Sequence, residues 1–185
     1  MTIFEYLMVL VSIILGLGMT QALRGLSKIA RSDAPYRALT LWVIVLIYLY
    51  MQVWWALWDL NEIAVWTQVY FSLIVFIPCA MFAATELLVP MGTTSETDWQ
   101  AHFFKVRGWF FAAMLVFTVL ATLETRILLG VPLTHPYRLM QVSVMVLEII
   151  GFVTSNPRVH AWLPALVIAI LFAGQAFFRL LPGLG

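Results

Sequence analysis

Cysteine occurs once in the 185 residues, histidine three times, and charged residues make up only 10%. A lone Cys79 cannot close an internal disulfide, so paired-thiol redox chemistry and a cysteine-rich metal site are both excluded. Beside Pro78 in an apolar run, Cys79 is expected to pack inside the protein. His102, His135 and His160 fall at the ends of apolar segments, which does not suit a haem held by two histidines within a membrane. The chain carries no H-E-x-x-H, no G-x-S-x-G and no glycine-rich phosphate loop. No cofactor and no metal are expected, and any intramembrane chemistry would fall to a single glutamate. Ten Lys and Arg against nine Asp and Glu leave a net charge of +1, so no bulk field recruits nucleic acid or an acidic partner.

Apolar residues fill the space that charge leaves. They make up 63% of the chain, whose mean hydropathy is +0.98, whereas a soluble domain carries about 25% charged residues. The composition predicts an all-α integral membrane protein forming one domain over 1–185, with the lipid bilayer as its first partner. The opening "MTIFEYLMVLVSIILGLG" has no basic leader and no small-x-small cleavage site, so it is expected to be a span and not a cleaved signal.

A helix needs roughly 20 residues to cross a hydrocarbon core about 30 Å thick. Six apolar segments meet that length, near 3–24, 36–60, 63–89, 107–129, 137–155 and 159–181, and they predict a six-transmembrane-helix bundle. Pro35, Pro90, Pro132, Pro136, Pro157 and Pro182 fall at proposed ends. Pro78, near the middle of the third span, is expected to kink it.

Placing the N-terminus outside gathers Arg24, Lys28, Arg31, Arg37, Lys105, Arg107 and Arg158 inside and leaves Arg126, Arg138 and Arg179 outside. That is seven positive charges against three, which favours N-out and C-out in a cell membrane. "WDLNEIAVW" then reads as a tight outer hairpin, ringed by Trp54, Trp55, Trp58 and Trp66 as an interfacial aromatic belt, with Asp59 and Glu62 on a solvated turn. In "MGTTSETDWQAHFFKVRGW", Ser95 and Asp98 have capping-box spacing, and Trp99, Phe103 and Val106 recur at helical spacing. The segment predicts a short inner interfacial helix near 95–106, with His102 as an interface residue.

"PYRALTLWVIVL" (35–46) returns as "PYRLMQVSVMVL" (136–147), and the flanks echo in the same order. Two three-helix repeats, 1–90 and 107–181, are one expectation; a unit with an odd number of spans would make the copy inverted, as in many transporters. The plainer reading is two similar membrane entries, in which Pro opens a helix, Tyr anchors and Arg snorkels.

Function must be sought in polar residues at midplane depth. Glu148 is the one carboxylate there, and an ionised side chain at the bilayer centre costs on the order of 3 kcal/mol or more, so it is expected to be neutral, paired or facing water. Gln141, Glu148 and Ser155 share a helix face. Tyr48 and Gln52, Thr118 and Thr122, and Gln175 with Arg179 offer partners at similar depth. One reading makes Glu148 the coupling or binding carboxylate of a small transporter or channel for a solute or cation, with Gln141, Gln52, Tyr48 and Gln175 lining the path. In the other, Glu148 only ties helices together, at about 0.6 kcal/mol, and the chain is a non-catalytic subunit or scaffold for another membrane protein or a second copy. Ser12, Gly16 and Thr20 form a small-xxx-small stripe expected to pack the first helix closely. Glu86 is expected to pair with Arg24 and Arg107 at the inner end, and Glu5, Glu124, Arg126 and Arg179 with one another at the outer end.

Overall fold

The computed structural model describes residues 2–63, 65–92 and 97–180, with the side chains of Glu62 and of 176–180 outside the description. The regular elements of the described residues are all helical, with no strand among them. They form α1 (Ile3–Ala30), α2 (Arg37–Ala56), a 3-10 turn (Leu57–Glu62), α3 (Gln68–Leu88), α4 (Trp99–Ile127), α5 (Tyr137–Val153) and α6 (Pro157–Leu180). Among them, α1, α2 with its 3-10 extension, α3, α4 and α6 are long and apolar enough to cross a membrane. The chain is a multi-pass helical membrane protein. At 17 residues, α5 falls short of the length that a crossing usually takes.

The helices close into a ring in the order α1, α2, α6, α5, α4, α3, and α2 also touches α3 and α4 across it. One end of the bundle carries the Leu57–Glu62 turn and is the Trp58 end; the other carries the 31–36 and 89–98 connections and is the Asp98 end. The ring order does not follow the sequence echo. In the first trio α1 packs on α3, whereas their counterparts α4 and α6 are not neighbours in the ring. The two echoed arginines also differ, since Arg37 is exposed and Arg138 is buried.

Among the described residues no separate interfacial helix lies near 95–106. From Trp99 onward the segment is the first turns of α4, capped by Asp98, whose Oδ1 accepts from the Ala101 amide at 2.9 Å. Residues 93–96, including Ser95, lie outside the described residues. The helix runs straight on because Trp99 and Phe103 are fully buried in the bundle and do not face lipid. Periodicity alone does not distinguish those two uses of an apolar face.

Close packing falls to a different set of small residues than Ser12, Gly16 and Thr20. That stripe points away from the core: Gly16 and Thr20 are exposed, and a Cβ on Gly16 would meet nothing within 4 Å. Gly18, Ala22 and Gly25 occupy the buried face, with Gly18 against the Tyr50 ring and Gly25 against Val89. Cys79 is likewise exposed, contrary to the packing role expected of it. Trp54, Trp55 and Trp58 are exposed at their end of the bundle, as an interfacial belt requires.

Candidate functional site

Helices α4 and α5 run antiparallel and meet along a polar seam. On α4, Thr118, Thr122 and Thr125 lie on neighbouring turns; on α5, Arg138, Gln141 and Glu148 face them. Glu148 is fully buried. Its Oε1 accepts from Thr118 Oγ1 at 2.9 Å, while Oε2 is buried with no hydrogen-bond partner among the described residues. A carboxyl kept only to join helices would have both oxygens satisfied, because an orphaned buried polar atom costs on the order of 1–3 kcal/mol.

Toward the Trp58 end, the seam's hydrogen bonds gather on Arg138. Arg138, expected to snorkel outward, is buried and donates from Nη1 to Gln141 Oε1 at 2.6 Å, Thr125 Oγ1 at 2.7 Å and the Thr122 carbonyl at 3.2 Å. Its Nη2 and Nε reach the Val131 and Pro132 carbonyls at 2.8 and 3.4 Å. These acceptors crowd the C-terminal end of α4, where the helix dipole favours a cation. Buried Glu124 lies close enough to feel both Arg138 and Asp59. A sequence reading treats Arg138 as a loop charge because it stands beside Pro136, and spacing alone does not reveal that the 128–136 loop folds back onto it.

Toward the Asp98 end, Arg107 does for α5 what Arg138 does for α4. Its Nη1 donates to the carbonyls of Gly151 and Phe152 at 3.2 and 2.9 Å, and also to that of Thr154. The expected pairing of Glu86 with Arg107 is therefore replaced by a helix cap, and Glu86 Oε1 instead accepts from the Met91 amide at 3.3 Å. Beside Arg107, fully buried His160 also reaches the Thr154 carbonyl, through Nε2 at 2.9 Å. His160 sits at a helix end, as its sequence position implies, yet a face of three phenylalanines covers it: Phe103, Phe104 and Phe111, with ring centroids 5.2, 5.5 and 5.7 Å away. His102 is half-buried, and its Nε2 lies 3.1 Å from the Leu87 and Leu88 carbonyls, at the end of α3.

The five residues named as a path fall into two groups. Glu148 and Gln141 belong to the α4–α5 seam. Gln52 and Gln175 bond to each other between α2 and α6, with Gln175 Nε2 donating, and Tyr48 stacks on Phe172 one turn away at 4.9 Å. Ser155 does not extend the stripe, because α5 ends at Val153 and Ser155 is exposed. Two surface grooves, one of about 570 Å³ between α1 and α2 and one of about 320 Å³ between α3 and α4, do not include Glu148. Among the described residues no group of three His, Cys, Asp or Glu side chains is placed to hold a metal ion.

Comparison with protein families, with curated proteins and with solved structures finds no match to this chain.

Proposed function

We propose that the protein moves a small cation or solute across a cell membrane, with Glu148 as its binding or coupling carboxylate. In this reading α5 is a sixth crossing, and the Trp58 end, with the N-terminus, faces outside. The observation that carries it is the half-satisfied carboxyl of Glu148, buried with one oxygen on Thr118 and the other unpartnered among the described residues. Intramembrane ionisable groups of this kind mark ion and substrate pathways more often than they stabilise a bundle.

Reconstituted alone into vesicles, the protein is expected to dissipate an imposed cation or pH gradient, and Glu148→Gln is expected to abolish that flux. Unchanged flux in Glu148→Gln would sink the mechanism. Access is checked separately in a Cys79→Ser background, with Glu148→Cys probed by a membrane-impermeant thiol reagent and Asn61→Cys and Arg31→Cys as controls for the two ends.

A second reading, a scaffold for another membrane protein, draws support from the outward-facing Ser12, Gly16 and Thr20 beside the α1–α2 groove. It predicts co-purification of a partner and tolerance of Glu148→Gln.

A further inference from the structure

Buried polar atoms without a hydrogen-bond partner among the described residues are unevenly placed about Glu148. On the Trp58 side no side chain of the seam is among them. On the Asp98 side Tyr36 Oη, Trp42 Nε1, Trp99 Nε1, Glu86 Oε2, Arg107 Nε and His160 Nδ1 are orphaned, as is Glu148 Oε2 itself.

Tyr36, His160 and Trp42 lie on one continuous wall of rings between α2, α4 and α6. Tyr36 meets Phe103 and Phe104 at 5.5 and 6.1 Å. Those two rings meet His160, which meets Phe111. Phe111 and Phe110 each stand edge-on to the Trp42 ring at 5.3 Å. Phe111 also covers Gly151, one helical turn from Glu148. Arg107 joins the wall through the Thr154 carbonyl that it shares with His160.

The donors and acceptors complement one another. A carbonyl only accepts, so His160 Nε2 carries the hydrogen given to Thr154, and Nδ1 of the neutral ring is a bare lone pair. Tyr36 O–H, Trp42 Nε1–H and Arg107 Nε–H are donors; His160 Nδ1 and Glu148 Oε2 are acceptors. A buried water typically makes about three hydrogen bonds to groups left over in this way.

We propose that Glu148 exchanges a proton with the Asp98 end of the bundle along a file of bound waters held by Trp42, His160, Arg107 and Tyr36, with His160 as the relay. The inference rests on the reading of Glu148 as the binding carboxylate and names its cation. Protonated Glu148 gives the proton on Oε2 to the nearest water and returns to carboxylate. That water passes a proton to His160 Nδ1, whose Nε2–H stays on the Thr154 carbonyl, and Nδ1 then releases its proton to the next water, which restores the neutral ring. The positive charge of Arg107 from α4 keeps the imidazolium short-lived. From the other side Glu148 meets Thr118 of α4, while Arg138 and Gln141 stand farther along α5 toward the Trp58 end, bonded to each other, with Glu124 of α4 near Arg138. Metal cations are disfavoured because they need several oxygen ligands. Thr118 supplies one hydroxyl beside Glu148, and the amide oxygen of Gln141 is occupied by Arg138.

The test uses the full chain in vesicles loaded with a pH-sensitive dye, with a sodium tracer in parallel. Wild type is expected to carry protons and not sodium, and His160→Gln is expected to lose proton flux about tenfold or more. Glutamine can still donate to the Thr154 carbonyl but cannot relay a proton, so retained flux in a folded His160→Gln protein would overturn the relay. Trp42→Phe, which keeps an aromatic ring and removes the donor, is expected to slow the flux by a smaller factor. In the Glu148→Cys protein, labelling is expected from the Asp98 end, and protection from that end would overturn the file. Sodium flux lost in Glu148→Gln would overturn the proton and leave Glu148 as the binding carboxylate. Absence of any flux, with position 148 protected from both ends, would overturn both readings.

Discussion

The guanidinium of Arg107 on α4 donates to the carbonyl of Phe152 on α5 across 2.9 Å, and the reverse arrangement holds at the other end of the same pair. There Arg138 of α5 donates to the Thr122 carbonyl of α4 and to the Val131 carbonyl just beyond it. Each helix of the antiparallel pair thus supplies the cation that caps its partner's C-terminal end, where carbonyls lack intrahelical donors and the dipole is negative. Glu148 lies between the two caps, so its depth and facing are fixed from both ends.

Removing either cap is therefore expected to loosen α5 against α4. Hydrogen bonds to a charged group are worth about 1.5–3 kcal/mol, and Arg138→Gln or Arg107→Gln is expected to cost on the order of 2–3 kcal/mol. Arg138→Lys is expected to recover less than half of that, since an ammonium cannot reach several carbonyls in the plane of a guanidinium fork. Unfolding midpoints in mixed denaturing detergent check both. A neutral Arg138→Gln would mean that the network is a surface feature.

Thr118 and Glu148 separate stability from function. Thr118→Val keeps the side-chain shape and removes the only described donor to Glu148 Oε1. Interhelical hydrogen bonds in membranes average about 0.6 kcal/mol and reach about 1.7, so a loss near 1 kcal/mol is expected. Glu148→Gln retains an oxygen that accepts from Thr118, and is expected to change the unfolding midpoint little while abolishing flux. If both substitutions lower stability equally and flux persists, Glu148 is only a helix tie.

Small residues on α1 give a sharper comparison. Gly16→Ala adds a methyl to open space and is expected to be neutral or stabilising by up to about 1 kcal/mol, the difference in helix propensity. Gly18→Ala drives a Cβ into the ring of Tyr50. That ring cannot swing away freely: Thr85 Oγ1 donates to the Met81 carbonyl, which leaves Tyr50 as the donor to Thr85 at 2.9 Å. Overpacking costs typically about 1–3 kcal/mol, and Gly18→Ala is expected within that range. Equal effects at the two positions would reverse the assignment of the buried face.

These positions also mark what a sequence can express. Length and hydropathy make the helices legible, and Glu148 stands out because no other carboxylate lies at its depth. The spacing of Ser12, Gly16 and Thr20 defines a face of α1, but whether that face turns inward depends on where α2 and α3 sit, which no local pattern states. Trp99 and Phe103 have the same spacing in an interfacial helix as in a buried one. Arg107, Arg138 and His160 read as helix-end residues because helix termini are read from prolines; the 128–136 loop covers Arg138, the end of α5 meets Arg107 and phenylalanines of α4 cover His160. The orphaned atoms on the Asp98 side come from separate elements and share no motif.

The Gln52–Gln175 pair tests whether the second polar group belongs to the path. Each amide is the other's partner between α2 and α6. Replacing one, as in Gln52→Leu, leaves the other unsatisfied and is expected to cost about 1–2 kcal/mol, whereas removing both partners can be nearly neutral. The double variant Gln52→Leu, Gln175→Leu is therefore expected to regain most of the loss, with proton flux unchanged, because neither amide touches the α4–α5 seam. A flux that falls in the stable double variant would place these amides on the route and extend it from Glu148 toward α2 and α6.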